Sequence, residues 1–185
     1  RPMLFRALVS KAFVHVWGLM SFEEELVADV NEALELAGEI GSVAAVNTVD
    51  AIFGAGYTLL GRWSEAEPLL RRVDGQPTTL YGVTPILQHW LARLLTLRGE
   101  LDEAAGRMRE WLAENRILHR RVVLNALLAV NRHLAGDDDE ARAAMARAEA
   151  AQSELHCSHC ALTLASTAAE LYAETGDAER AARYA

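Results

Sequence analysis

Four glycines pace the chain. Gly61, Gly99, Gly136 and Gly176 recur at intervals of about 38, 37 and 40 residues, the spacing of repeats that each supply one helical hairpin. The surrounding segments match one another: Gly61-Arg62-Trp63-Ser64-Glu65-Ala66, Gly99-Glu100-Leu101-Asp102-Glu103-Ala104, Gly136-Asp137-Asp138-Asp139-Glu140-Ala141 and Gly176-Asp177-Ala178-Glu179-Arg180-Ala181. A single hairpin cannot bury its own apolar face, so a chain with this period is restricted to stacked all-α architectures. Glycine suits the end of a helix because the left-handed conformation costs it nothing. The acidic residues that follow suit the start of the next one, where they meet unpaired N–H groups and the positive end of the helix dipole. Ser21-x-x-Glu24, Ser64-x-x-Glu67 and Asp137-x-x-Glu140 also have the spacing of a reciprocal capping box.

A second set of positions locks onto the first. Seven residues before each marker glycine stand Gly54, Ala92, Ala129 and Ala169, and five after it stand Ala66, Ala104, Ala141 and Ala181. All eight are small. Antiparallel helices joined by a short turn approach closely only where side chains are small, so these residues are expected to form the seam inside each hairpin. Phe53, Leu91, Leu128 and Ala168 precede the seam residue in the first helix. Leu70, Met108 and Met145 lie four residues beyond it in the second, as flanking knobs.

The sequence predicts about five hairpins, with helices over Met3–Leu19, Phe22–Glu39, Val43–Leu60, Ser64–Val73, Thr79–Arg98, Asp102–Glu114, Ile117–Ala135, Asp138–Ser153, Cys157–Thr175 and Ala178 to the end. Asp74-Gly75-Gln76-Pro77 is the clearest loop, and Thr84-Pro85 is expected to delay or kink the fifth helix. With 51% apolar residues the chain has material for a packed core, and no linker divides residues 1–185, so one domain is expected. The opening at Arg1 and the stop at Ala185 inside a helical pattern are those expected of a fragment.

The seam, the Gly-acid turn and an aromatic three residues after the first small position (Tyr57, Tyr172) resemble the tetratricopeptide repeat family. The period exceeds its usual length by a few residues, and Leu95 and Arg132 replace the aromatic in the middle repeats. The resemblance is clear over 43–185 and weak over 1–41. Ala37-Gly38-Glu39-Ile40-Gly41, Leu60-Gly61-Arg62-Trp63 and the Ala/Arg-rich helices also resemble the helical region of large bacterial ATP-binding LuxR-type transcription regulators, which join an ATPase, such a region and a DNA-binding domain. The family resemblance implies a superhelix whose concave face carries the partner site. Transferred to this chain, that site comprises Thr48, Thr58, His89, Arg93, Thr96, His133, Thr163, Ser166 and Glu170. It lacks the Lys/Arg cluster that clamps a peptide carboxylate, so that mode of capture is not expected.

Catalytic chemistry finds no foothold. Neither phosphate-binding glycine pattern nor a nucleophile elbow is present, and Asp137-Asp138-Asp139-Glu140 lacks the alternating ligands, glycine and distal glutamate of a calcium loop. A net charge of −8 opposes a nucleic-acid surface, and no apolar run reaches the roughly 20 residues of a membrane span. The expected location is cytoplasmic. His156-Cys157-Ser158-His159-Cys160 contains soft-metal ligand types, and C-x-x-C can hold one side of a zinc site. Four near-consecutive side chains on a helix diverge, however, and His15, His89, His119 and His133 offer no paired spacing. Buried packing of the two cysteines is therefore expected, with a disulfide as an alternative and no cofactor or assigned metal.

The functional expectation is a non-catalytic protein-interaction or sensor segment of a larger bacterial signalling regulator. Alternatives are a self-contained assembly scaffold, or a metal or redox sensor built on His156, Cys157, His159 and Cys160. The last hairpin is expected to leave Leu162, Ala165, Ala169 and Tyr172 partly uncovered, a surface for homodimerisation or for a flanking domain.

Overall fold

The structure, a computed structural model, describes residues 1–19, 21–74, 76, 89–114 and 117–185. Among them the fold is all-α. The helices are α1 (Pro2–Phe13), continued by a π-helical segment Val14–Leu19, α2 (Glu24–Ile40), α3 (Val43–Leu59), α4 (Trp63–Val73), α5 (His89–Leu97), α6 (Leu101–Glu114), α7 (Leu118–Leu134), α8 (Asp138–Leu155), α9 (Ser158–Glu174) and α10 (Ala178–Tyr184). Contacts gather them into two compact units, Arg1–Leu94 and Leu95–Ala185. Gly75, Pro77, Thr84 and Pro85 lie outside the described residues.

The four marker glycines adopt one conformation. Their φ angles are +73°, +80°, +78° and +80° for Gly61, Gly99, Gly136 and Gly176. At each, the following N–H donates to the carbonyl five residues back: Arg62 to Tyr57 at 2.9 Å, Glu100 to Leu95 at 2.9 Å, Asp137 to Arg132 at 2.9 Å and Asp177 to Tyr172 at 2.8 Å. The glycine N–H donates to the carbonyl three back, on Thr58, Thr96, His133 and Ala173. A left-handed residue that closes these bonds satisfies carbonyls which the helix end would otherwise leave unpaired. The sequence repeat is thus a structural repeat at its turns.

Six of the eight small positions are buried. Gly54, Ala66, Ala92, Ala104, Ala129 and Ala141 are buried, as are the knobs Leu70, Met108 and Met145. A Cβ on Gly54 would stand 2.6 Å from Leu70 Cγ and 3.4 Å from the Ala66 carbonyl oxygen, so the α3–α4 approach needs the missing side chain. Only Ala169 and Ala181 of the last hairpin are partly exposed.

Within the first unit α1 packs on α2, α2 on α3 and α3 on α4. Within the second, α7 lies against α6, α8 and α9, and α9 against α8 and α10. Two contacts between α7 and α9 fix their relation: His119 Nδ1 lies 3.2 Å from Cys160 Sγ near their starts, and His133 Nε2 lies 2.7 Å from Glu174 Oε2 near their ends. Both pairs are separated by 41 residues. The first helices of successive hairpins therefore run parallel and in register.

The structure corrects several local expectations. Asp137 caps α8 by accepting from the Glu140 N–H at 3.1 Å, but the reciprocal box is not closed, because the Asp137 N–H donates to the Arg132 carbonyl and the Glu140 carboxylate accepts from Arg109. Ser64 does not cap α4, because the turn bond made by the Arg62 N–H seats Arg62 at the N-cap and leaves Ser64 inside the helix. Ser21 does not cap α2, where Glu23 holds the N-cap. Instead the Ser21 N–H donates to the His15 carbonyl at 3.0 Å, closing the end of the π-helical segment that replaces the last turns of the expected Met3–Leu19 α-helix.

Tyr172 is fully buried rather than partly uncovered: its hydroxyl donates to Glu149 Oε1 at 3.0 Å, its ring stacks on Tyr184, and Arg180 lies over it at 5.3 Å. Arg132, in the slot that holds an aromatic elsewhere, is also buried. Its guanidinium donates to the Leu101 carbonyl at 2.9 Å and to Asn131 Oδ1 at 2.7 Å, while Asn131 Nδ2 donates to Thr96 Oγ1 at 3.0 Å. Hydrogen bonding lets a charged group fill the aromatic's place without stranding a polar atom.

Candidate functional site

The expected concave-face residues divide into two groups. Thr48, Thr58, His89 and Thr96 are buried and unavailable to a partner. The hydroxyls of Thr48 and Thr58 donate to the carbonyls of Ala44 and Gly54, four residues back, at 2.8 and 2.7 Å. That bond allows a polar residue to face the core of a helical hairpin. Arg93 is half-buried with its guanidinium 5.1 Å from the Trp90 ring, and burial pulls its pKa down. The Thr163 side chain lies outside the described set.

His133, Ser166 and Glu170 remain. His133 links three helices: Nδ1 is 2.7 Å from Asp138 Oδ1 and Nε2 is 2.7 Å from Glu174 Oε2. The Asp138 hydrogen bond, ahead of that to Glu174, raises the imidazole pKa above 6.5 despite partial desolvation. Along α9, Leu162, Ser166, Glu170 and Glu174 recur every four residues and are all exposed. They form one stripe, apolar at Leu162 and acidic at Glu170 and Glu174.

The densest gathering of reactive side chains lies at the other end of α7 and α9. His119 stands in the first turn of α7. Helix α8 ends where His156 takes a left-handed conformation, φ 52°, and Cys157 then serves as the N-cap of α9, with Cys160 in its first turn. Because α7 and α9 are parallel and in register, these first turns meet. The ligand atoms of His119, Cys157 and Cys160 all lie within 4.8 Å of one another.

Neither cysteine is in a disulfide; Cys160 is buried and Cys157 partly so. Burial, followed by the neighbouring Cys157, pushes the Cys160 thiol up to about 12, so it is not an activated nucleophile at neutral pH. Gln152 anchors the turn by donating from Nε2 to the Cys157 carbonyl at 2.8 Å, and its Oε1 is buried without a hydrogen-bond partner.

Of the ligand candidates in the sequence, Cys157 and Cys160 converge and His156 does not: its left-handed backbone turns the chain and its side chain is exposed. The side chain of His159 lies outside the described set. His119, which sequence spacing passes over, supplies the third donor from 41 residues away.

A second buried charge that spacing does not mark is Asp50 on α3, 2.9 Å from Arg72 on α4. Burial raises its pKa and Arg72 offsets part of that rise. It ties the two helices of one hairpin.

No helix among the described residues is long and apolar enough to cross a membrane. Compared with protein-family models, with curated proteins and with solved structures, the chain shows no match.

Proposed function

We propose that the chain is a non-catalytic scaffold of tetratricopeptide-like hairpins that holds a polypeptide partner, as a cytoplasmic segment of a larger bacterial transcription regulator of the ATP-binding LuxR type. The observation that carries this reading is the fourfold repetition of one turn geometry at Gly61, Gly99, Gly136 and Gly176, joined to the small-residue seam. Hairpin arrays of this kind present a row of first-helix faces, which suits extended or helical peptides better than small substrates.

The partner surface is assigned to the exposed stripe of α9, Leu162, Ser166, Glu170 and Glu174. One apolar anchor followed by two carboxylates suits a segment that carries an apolar side chain and, a turn or two along, Lys or Arg. Site-specific photocrosslinkers at Ser166 and at Glu170, in cells that make the native gene product, test the assignment against the same probe at the exposed Ala146 of α8. One crosslinked polypeptide from both α9 positions and none from Ala146 is expected. Equal labelling from both helices, or none, refutes it. The regulator assignment is tested by the encoding reading frame, which should specify a phosphate-binding loop upstream and a helix-turn-helix downstream.

A further inference from the structure

We infer that His119, Cys157 and Cys160 form a zinc site that clamps the first turns of α7 and α9. One imidazole nitrogen and two sulfurs are the donor set that selects zinc over the hard cations magnesium and calcium, and two thiolates balance the charge of the ion. In tetrahedral zinc centres, with Zn–S about 2.3 Å and Zn–N about 2.0 Å, neighbouring donors stand about 3.5 to 3.8 Å apart. Here the His119 Nδ1 to Cys160 Sγ separation is 3.2 Å and no pair of donors exceeds 4.8 Å. Side-chain adjustments of about 1 Å reach coordination without moving either helix.

The frame around the donors is rigid in the way a site requires. The in-register pairing of α7 and α9 is fixed at its far end by His133 and Glu174. The turn carrying Cys157 is set by the left-handed His156 and by the Gln152 hydrogen bond to the Cys157 carbonyl. Cys157 is the N-cap of α9, which puts its sulfur beside the positive end of the helix, where a thiolate is favoured. Three protein donors leave the fourth tetrahedral position to solvent, as in open rather than closed zinc sites. The ion would couple the hairpin α7–α8 to the hairpin α9–α10, making the stiffness of this junction depend on metal.

The test uses the reduced 185-residue chain with cobalt(II) as the spectroscopic probe and zinc as competitor. One equivalent of cobalt should give thiolate-to-metal charge-transfer bands and the intense visible bands of a tetrahedral ion, and zinc should abolish both. His119→Gln and Cys157→Ser should each weaken zinc binding by more than about 100-fold, beyond the loss expected from a supporting hydrogen bond, while His15→Gln leaves it unchanged. Zinc at about 100 times its Kd should raise Tm by about 5–10 °C.

A readout without variants guards against misfolding: alkylation of Cys157 and Cys160, followed by mass spectrometry, should slow at least about tenfold with zinc and recover with a chelator. Absence of stoichiometric cobalt binding, binding that survives His119→Gln in a folded chain, or unprotected thiols would each overturn the inference. So would a Cys157–Cys160 disulfide that forms equally fast with and without zinc, since that outcome assigns the pair to redox chemistry.

Discussion

Adding one methyl group at two glycines of the first unit should have opposite effects, and the difference isolates packing. Gly56 lies in α3 with the Phe22 ring against it: a Cβ there would stand 2.5, 2.5 and 2.6 Å from three ring carbons. Carbon atoms rest at about 3.5 to 4.0 Å, so the ring must retreat by about 1 Å. Phe22 is only 4% exposed and meets Tyr57 edge-on at 6.3 Å and 80°, which leaves it little room to retreat.

Gly38, exposed in α2, would place its Cβ in open space. Replacing glycine by alanine inside a helix gains about 1 kcal/mol through the backbone at either position. Overpacking costs about 1 to 3 kcal/mol at Gly56 alone. Gly38→Ala should therefore stabilise by about 0.5 to 1 kcal/mol. Gly56→Ala should lie about 1 to 3 kcal/mol below it, since the backbone gain is common to both and cancels in the comparison.

Both positions belong to the unit Arg1–Leu94, so the comparison stays within one packed unit. Urea titrations followed by far-ultraviolet circular dichroism, compared at a common m-value, give the two numbers. A Phe22→Leu background should shrink the Gly56 penalty, as expected for residues in contact. If the two alanine variants agree within about 0.5 kcal/mol, Phe22 does not sit over Gly56 and the packing of α2 against α3 is misplaced.

Ala104→Phe and Ala141→Phe should each destabilise by at least about 1 to 3 kcal/mol, because both alanines are fully buried; neutral melting temperatures at both would refute the hairpin register. Arg132→Ala should cost about 2 to 4 kcal/mol by stranding the Leu101 carbonyl and Asn131 Oδ1, and equal urea midpoints for the variant and parent would contradict it. His133 can donate to Asp138 and Glu174 together only when protonated. Its pKa is raised from 6.5, so its stabilisation is complete below that value and fades as pH rises through the higher folded value. The stability gap between the parent and His133→Gln should thus be wider at acidic than at alkaline pH, and a constant gap in urea titrations at both would dismiss the bridge.

The helices were legible in the sequence because their punctuation has a local cause. A glycine that turns left-handed, an acid that caps and a small residue seven positions earlier each act within one hairpin, and their spacing survives as a pattern. The failures came where a neighbouring turn had already settled the matter. Ser64 has the chemistry of a cap, but the bond closed at Gly61 starts α4 two residues too early for it. Ser21 is occupied at the end of the π-helical segment, and nothing in residues 14–19 announces that segment beforehand.

The two sites fared differently for a reason of geometry. Assigning polar residues of the first helices to a concave surface treats polarity as exposure, and that fails for Thr48 and Thr58, whose hydroxyls are satisfied by their own helix. The His/Cys cluster failed in the other direction. Within one helix, ligands must recur at three or four positions to share a face; Cys157 and Cys160 do so, and the third donor comes from another helix.

Between parallel helices in register the relevant spacing is the offset between hairpins, here 41 residues, which carries Cys160 back to His119 just as it carries Glu174 back to His133. A repeat that differs in length from its neighbours conceals such pairs. The glycine period of the same two hairpins is about 40 residues, one short of that offset. Once the structure supplies the offset, the same repeat pattern that gave the fold also pairs side chains across hairpins.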